Sequence, residues 1–142
     1  DKAICMLDDW EVDNALLSSG TSSVLARGGG PEGDGWHVGV SGDYRDETGI
    51  RSTLLQNNSL SGSGTAVKGD HIQNPQTGNA AGAVAAWAKA TTAAWSEALS
   101  TALMIMGKDD AQEFLSRCGP GISAVAVYPT ELQPDFLVHG SW

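Results

Sequence analysis

Basic residues are scarce in this chain. Of 142 residues, 8 are Lys or Arg and 17 are Asp or Glu, giving a formal charge of −9. So acidic a surface repels a phosphate backbone, which argues against nucleic acid as a partner. It would also repel a dinucleotide unless a metal ion or oriented backbone N–H groups intervened. Cysteine is nearly absent. Cys5 and Cys118 are far apart in sequence, and neither has a neighbour at metal-ligand spacing. They can pair only if the fold brings them together, and the expectation is two ordinary buried thiols. No apolar run approaches the ~20 residues that a membrane span needs. No signal peptide is visible either. The first residue is Asp1 and not Met, so the natural beginning is expected to lie elsewhere.

What is present suits a single domain over residues 1–142, long enough to bury a core without disulfide staples. Ala3, Met6, Leu7 and Trp10 have helical spacing, with Asp1 as the expected N-cap. Ala15–Leu17 and Ser23–Ala26 read as short strands. Gly28-Gly29-Gly30 lacks the spacing of a dinucleotide fingerprint and reads as a hairpin loop. Trp36, Val38 and Val40 alternate at strand period, leaving His37 on the outward face. A polar turn around Arg45-Asp46-Glu47-Thr48-Gly49 leads to a partner strand within 50–55. Residues 64–81 read as a long ordered loop, a type that is usually functional or disordered. Residues 83–90 read as a strand because Val84, Ala86 and Ala88 alternate. The clearest helix follows, capped by Thr91 or Thr92, with Trp95, Leu99, Ala102 and Met106 as its apolar stripe and Gly107 as its stop. Asp109 and Gln112 have capping-box spacing for a second helix over roughly 110–118. Ile122–Tyr128 alternates as a buried strand, and Phe136–Val138 is a further short one. Trp10, Trp36, Trp87 and Trp95 are expected in the core. The order predicts an α+β fold, with helices packed on one face of a mostly antiparallel sheet.

Three groups of residues can carry chemistry. Glu97 and Thr101 are four apart on the strong helix, so both lie on one face. A carboxylate and a hydroxyl so placed can reach one hard cation such as Mg²⁺, with phosphates and water completing its shell. Equally, they describe a solvated Glu beside a Thr that bonds back to its own helix. His71 lies in a Gly/Asn/Pro-rich loop, where a neutral imidazole can take a proton from a hydroxyl nucleophile. It also reads as an exposed loop His without a role. Ser61-Gly62-Ser63-Gly64 offers N–H groups and hydroxyls to a phosphate, and it suits a tight strand end as well.

Several segments, in order, carry a resemblance. They are Ala15-Leu16-Leu17-Ser18-Ser19-Gly20-Thr21-Ser22-Ser23-Val24-Leu25-Ala26, then Gly35-Trp36-His37-Val38-Gly39-Val40, then Ser61–Gly64. Gly69-Asp70-His71-Ile72-Gln73-Asn74-Pro75-Gln76-Thr77-Gly78 and the run from Ser96 to Gly107 complete the set. Over roughly residues 1–128 this arrangement resembles the ApbE family of flavin transferases, and it corresponds to their C-terminal half. The resemblance implies a T-fold-like two-layer architecture. It implies FAD as flavin donor and Mg²⁺-dependent transfer of FMN to a Thr or Ser hydroxyl of an acceptor flavoprotein, with AMP released. It places His71 as the catalytic base and Glu97 and Thr101 as metal ligands. It places Ser61, Ser63, Gly64, His71 and Thr77 around the flavin nucleotide. Three positions depart from the family pattern: Asn74 and Glu97 stand where it has Asp, and Gln76 stands where it has Arg. The alternative is a non-catalytic ApbE-like module that binds flavin or mediates assembly. With half of such a protein absent, an open sheet edge is expected to be covered by a second copy or a complementary chain. The resemblance also favours the periplasm or cell envelope.

Overall fold

Alanine and valine alternate between two faces along the central strands, and that alternation organises the molecule. The computed structural model describes residues 1–40, 44, 48–66, 69 and 71–142. Along the chain come α1 (Lys2–Asp9), β1 (Ala15–Ser19), β2 (Ser23–Arg27), β3 (Trp36–Gly39), β4 (Ser52–Leu55), β5 (Ser59–Gly64) and β6 (Ala85–Ala90). Then follow α2 (Ala93–Ile105), α3 (Lys108–Ser116), β7 (Ser123–Tyr128) and β8 (Asp135–His139). Six strands form one sheet in the order β1-β2-β5-β6-β7-β8, and β3 and β4 pair as a separate hairpin. Every pairing is antiparallel. The turn expected at Arg45-Asp46-Glu47 falls outside the described residues, as does Asp70 of the histidine loop.

One sheet face carries Ala86, Ala88, Ala124, Ala126 and Tyr128, which pack against Leu99, Leu103 and Met104 of α2 and Leu115 of α3. Small alanines on the strands let the helices come close, and Leu103 and Met104 are wholly buried. The other face carries Leu60, Ala85, Trp87, Val125 and Val127, and it is covered by Val38, Val40 and Leu55 of the hairpin region. The mostly antiparallel α+β arrangement therefore stands as the sequence predicts, with the hairpin as cover for the second face. Gly62 packs closely there: a Cβ at that position would lie 3.0 Å from Trp87 Cδ1, so the indole would have to shift to admit it.

Several local expectations shift. The buried side of α2 is Ser96, Leu99, Ser100, Leu103 and Met104, so Trp95 and Met106 do not define it. Trp95 is 47% exposed and Trp10 81% exposed. Only Trp87 of the four tryptophans expected in the core is fully buried, and Trp36 is half-buried. The displaced stripe has a physical cause, which is that two serines occupy the packed face because hydroxyls on the sheet meet them. Thr92 caps α2, accepting from Trp95 N–H at 3.2 Å. Gly107 is the N-cap of α3 in extended conformation and not a left-handed stop for α2. Asp109 and Asp110 then lie in the first turn of α3, where carboxylates suit the helix dipole, and the Asp109 capping box does not form. Asp1 precedes α1 as expected, yet its carboxylate serves α2, accepting from Ala93 N–H at 2.8 Å and Ala94 N–H at 2.9 Å. Cys5 is exposed and Cys118 half-buried, and both thiols are free, which corrects the expectation of two buried thiols. Among the described residues no helix is long and apolar enough to cross a membrane.

Candidate functional site

Period-two alternation puts Ser59, Ser61 and Ser63 of β5 on the helix side of the sheet. Ser61–Gly64 close β5, so the strand-end reading of this segment holds and the turn reading does not. The strand is paired with β6 from Ser59↔Ala90 to Gly64↔Ala85. The three serines meet a matching row on α2. Ser59 Oγ donates to Ser96 Oγ at 2.9 Å, and Ser61 and Ser96 share a hydrogen bond of 2.7 Å. Ser63 pairs with Ser100 at 2.9 Å and with Thr101 at 3.2 Å. Ser59, Ser61, Ser96 and Ser100 have no solvent exposure. Buried hydroxyls are tolerated only when paired in this way.

At the edge of this seam sits Glu97. Its Oε1 accepts from Ser22 Oγ at 3.1 Å, and its Oε2 accepts from Ser23 Oγ. Ser61 Oγ in turn donates to Ser23 Oγ at 3.1 Å. Glu97 and Thr101 thus share one helix face as their spacing predicts, and each is turned toward hydroxyls of the sheet: Glu97 toward β2, Thr101 toward β5. Ser22 and Ser23 were not singled out by the sequence. They lie 75 and 74 residues from Glu97 in the chain, a separation that no local pattern reports. The donors here are one carboxylate and several hydroxyls, all oxygen. That set matches a hard cation that takes its remaining ligands from phosphate and water. An ionised carboxylate has about four lone-pair positions, so the serine contacts leave room for a cation. Among the described residues no cluster of three or more His, Cys, Asp or Glu exists that could cage a metal.

The histidine loop is built differently. His71 is exposed, and its Nδ1 lies 2.9 Å from the Gly69 carbonyl, two residues back. Asn74 organises the turn after it. Its Oδ1 accepts from Gln76 N–H at 2.9 Å, and its own N–H donates to Asn79 O at 2.8 Å. An amide oxygen serves this turn as a carboxylate oxygen would, so Asn74 keeps the loop closed without a charge. Thr77 is exposed, and its Oγ1 accepts from Asn79 N–H at 3.3 Å. The loop meets the body through Ile72, which packs against the helix-side core. A bridge between Gln73 and Ala80 closes its base. The structure joins Ser61, Ser63, Glu97 and Thr101 to one seam. His71 and Thr77 make their hydrogen bonds within their own loop.

Two further polar groups are buried in the body. Lys89, on the hairpin side of β6, is buried and donates to Thr53 Oγ1 at 2.9 Å, with its Nζ 5.3 Å from the Trp142 ring. Burial pushes its pKa down from 10.5. The Tyr128 hydroxyl is buried on the helix side without a hydrogen-bond partner among the described residues, and burial raises its pKa to about 12.

Comparison with known proteins follows the same lines. The sequence has no match among curated proteins. Among solved structures, the chain is similar to the apo form of the flavinyl transferase ApbE of Pseudomonas stutzeri, with 21% identity and a TM-score of 0.78. The alignment covers 97% of this chain and 45% of that one. It is also similar to the flavin transferase ApbE of Vibrio cholerae, with 18% identity and a TM-score of 0.74, over 97% of this chain and 46% of that one. At such identities these likenesses establish the fold, and the chain spans less than half the length of either protein. The profile of the ApbE family matches residues 1–126. With that match covering most of its length, this chain belongs to the ApbE family.

Proposed function

We propose that the chain is a flavin transferase domain that moves FMN from FAD to a Thr or Ser hydroxyl of an acceptor protein, with Mg²⁺ as its metal. The observation that carries this reading is the oxygen-lined seam: Glu97 and Thr101 on one face of α2, fixed against hydroxyls of β2 and β5. In this reading they hold the metal, which neutralises charge on the pyrophosphate when bound. His71 takes the proton of the attacking hydroxyl. The acceptor oxygen bonds to the phosphorus on the FMN side, the bond to the AMP phosphate breaks, and AMP leaves. Ser63, Gly64 and Thr77 are assigned to the nucleotide, Ser63 through the hydroxyl that also meets Thr101, while the wholly buried Ser61 backs the seam through Ser23 and Ser96. The test is isothermal titration of FAD with and without Mg²⁺, followed by AMP release with a Thr-containing acceptor peptide. Magnesium-dependent binding at micromolar concentration supports the reading, and absence of both heat and flavin fluorescence change sinks it.

A second reading is favoured by the histidine loop. With His71 bonded to its own loop, the domain binds flavin or mediates assembly without chemistry. Flavin binding without AMP release, unchanged in Glu97→Asp, marks this case. In either reading the outer strands β1 and β8 are covered by a second copy or a complementary chain. Light scattering that shows a monomer at high concentration counts against that coverage.

A further inference from the structure

We propose that Ser22 and Ser23, at the turn into β2, are positioning residues for the Glu97 carboxylate, with the buried Ser61 hydroxyl behind Ser23. The inference rests on the reading of Glu97 as the metal-holding group. A seryl hydroxyl has one proton to give and lone pairs to accept with. Ser61 donates to Ser23 at 3.1 Å, which leaves the Ser23 proton for Glu97 Oε2. Behind Ser61 stands Ser96 at 2.7 Å, and backbone carbonyls accept further in, Ala93 O from Ser96 at 3.0 Å and Thr92 O from Ser59 at 2.7 Å. Ser59, Ser61 and Ser96 are wholly buried, so solvent does not supply alternative partners.

The row reaches the carboxylate through Ser23, which accepts from Ser61 and donates to Glu97 Oε2. An ionised carboxylate only accepts. It therefore takes the Ser23 proton, and hydrogen bonds to a charged acceptor are roughly twice as strong as neutral ones. Ser22 adds a second donor on Oε1 at 3.1 Å. Side-chain length fits this role. Glu97 carries its carboxylate about 1.2–1.5 Å further than the Asp of the family pattern, by ordinary bond lengths, and the β1–β2 turn is what that longer reach meets. Groups that hydrogen-bond a metal-holding carboxylate fix its orientation and tune its affinity.

The experiment titrates Mg²⁺ into the full chain with FAD, for the unaltered protein, S22A/S23A and S23T, with a thermal melt of each. The expected result is a cooperative melt for S22A/S23A and a Mg²⁺ requirement raised about tenfold, while S23T, which keeps the hydroxyl, behaves as the unaltered chain does. An unchanged Mg²⁺ requirement in S22A/S23A overturns the proposal while leaving the metal reading intact. If FAD binds the unaltered chain without regard to Mg²⁺, the metal reading fails instead, and urea unfolding of S23A, E97A and the double variant decides the positioning role. A double variant that unfolds at the E97A midpoint supports it, and additive midpoint shifts overturn it.

Discussion

Helix α2 and the loop over residues 71–80 carry the two halves of the proposed chemistry, and they are held in opposite ways. α2 is anchored twice, by Leu99, Leu103 and Met104 in the core and by serines that meet β5 along its length. The loop is exposed almost throughout and is ordered by bonds between its own residues, centred on Asn74. A group on α2 is therefore fixed before any ligand arrives, whereas among the described residues the His71 imidazole is oriented by a neighbouring carbonyl. In a transferase this division is workable. The metal-holding side needs close placement, and the base needs its geometry only once the acceptor hydroxyl is present.

The contrast breaks most visibly in the core. Leu103→Ala removes a side chain with no exposure and is expected to cost about 2–5 kcal/mol in urea unfolding. A loss below about 1 kcal/mol would show that α2 is not the anchored half. Ser61→Ala comes next. It removes one hydrogen bond from each of Ser23 and Ser96, which keep Glu97 and Ser59 as partners, and a loss of about 0.5–1.5 kcal/mol is expected. Tyr128→Phe is the matching control on the same sheet face. Its hydroxyl has no partner among the described residues, so removal should leave stability unchanged or raise it by up to about 1 kcal/mol. A clear loss would mean that pairing is not what distinguishes the serines.

The hairpin side of the sheet sharpens the comparison through pH. Lys89 has a folded pKa below its unfolded 10.5 because burial disfavours its charge. In the window from that lowered value up to 10.5, the unfolded chain binds more protons than the folded one, so this group makes stability rise with pH. Below the window the full penalty of burying the charge remains. Lys89→Met should flatten this contribution in unfolding measured across the alkaline range, and an unaltered slope would assign it elsewhere. The smallest effect is expected in the loop. Asn74→Ala should change global stability by no more than about 0.5 kcal/mol, yet it should speed proteolytic cleavage within 71–80 because the local turn is lost. Asn74→Asp, which keeps the oxygen acceptor, should behave as the unaltered chain. Cleavage equally slow in Asn74→Ala would mean that the loop is held by the body after all.

Much of the fold was legible because its cues are local. The alternation of Val84, Ala86 and Ala88 was enough to prefer strand over helix, and β6 runs over Ala85–Ala90. The Thr92 cap and the β7 alternation were readable for the same reason. Errors arose where burial depends on a distant partner. Ser59–Gly64 looked like turn material because its residues are small and polar, although it lies at the centre of the sheet. Trp10 and Trp95 looked like core residues by spacing, yet α1 buries no residue and α2 buries the side of Ser96, Leu99 and Leu103. Of the candidate site, the shared face of Glu97 and Thr101 followed from helical period alone. The grip of Ser22 and Ser23 on Glu97 had no sequence signal.

The sequence by itself determined the α+β class, most of the strands, the capped helix with Glu97 and Thr101 on one side, and the ordered segments that mark an ApbE relative. These are properties of dihedral preference and short periodicity, set within a few residues. Only the tertiary structure decided that serines instead of an apolar stripe would pack α2 onto β5, that Asp1 would cap a helix 92 residues away, and that the Glu97 carboxylate would rest on the β1–β2 turn. The physical reason is that a hydroxyl or carboxylate carries no preference for burial until its partner is placed within hydrogen-bond reach, and chain topology alone places it.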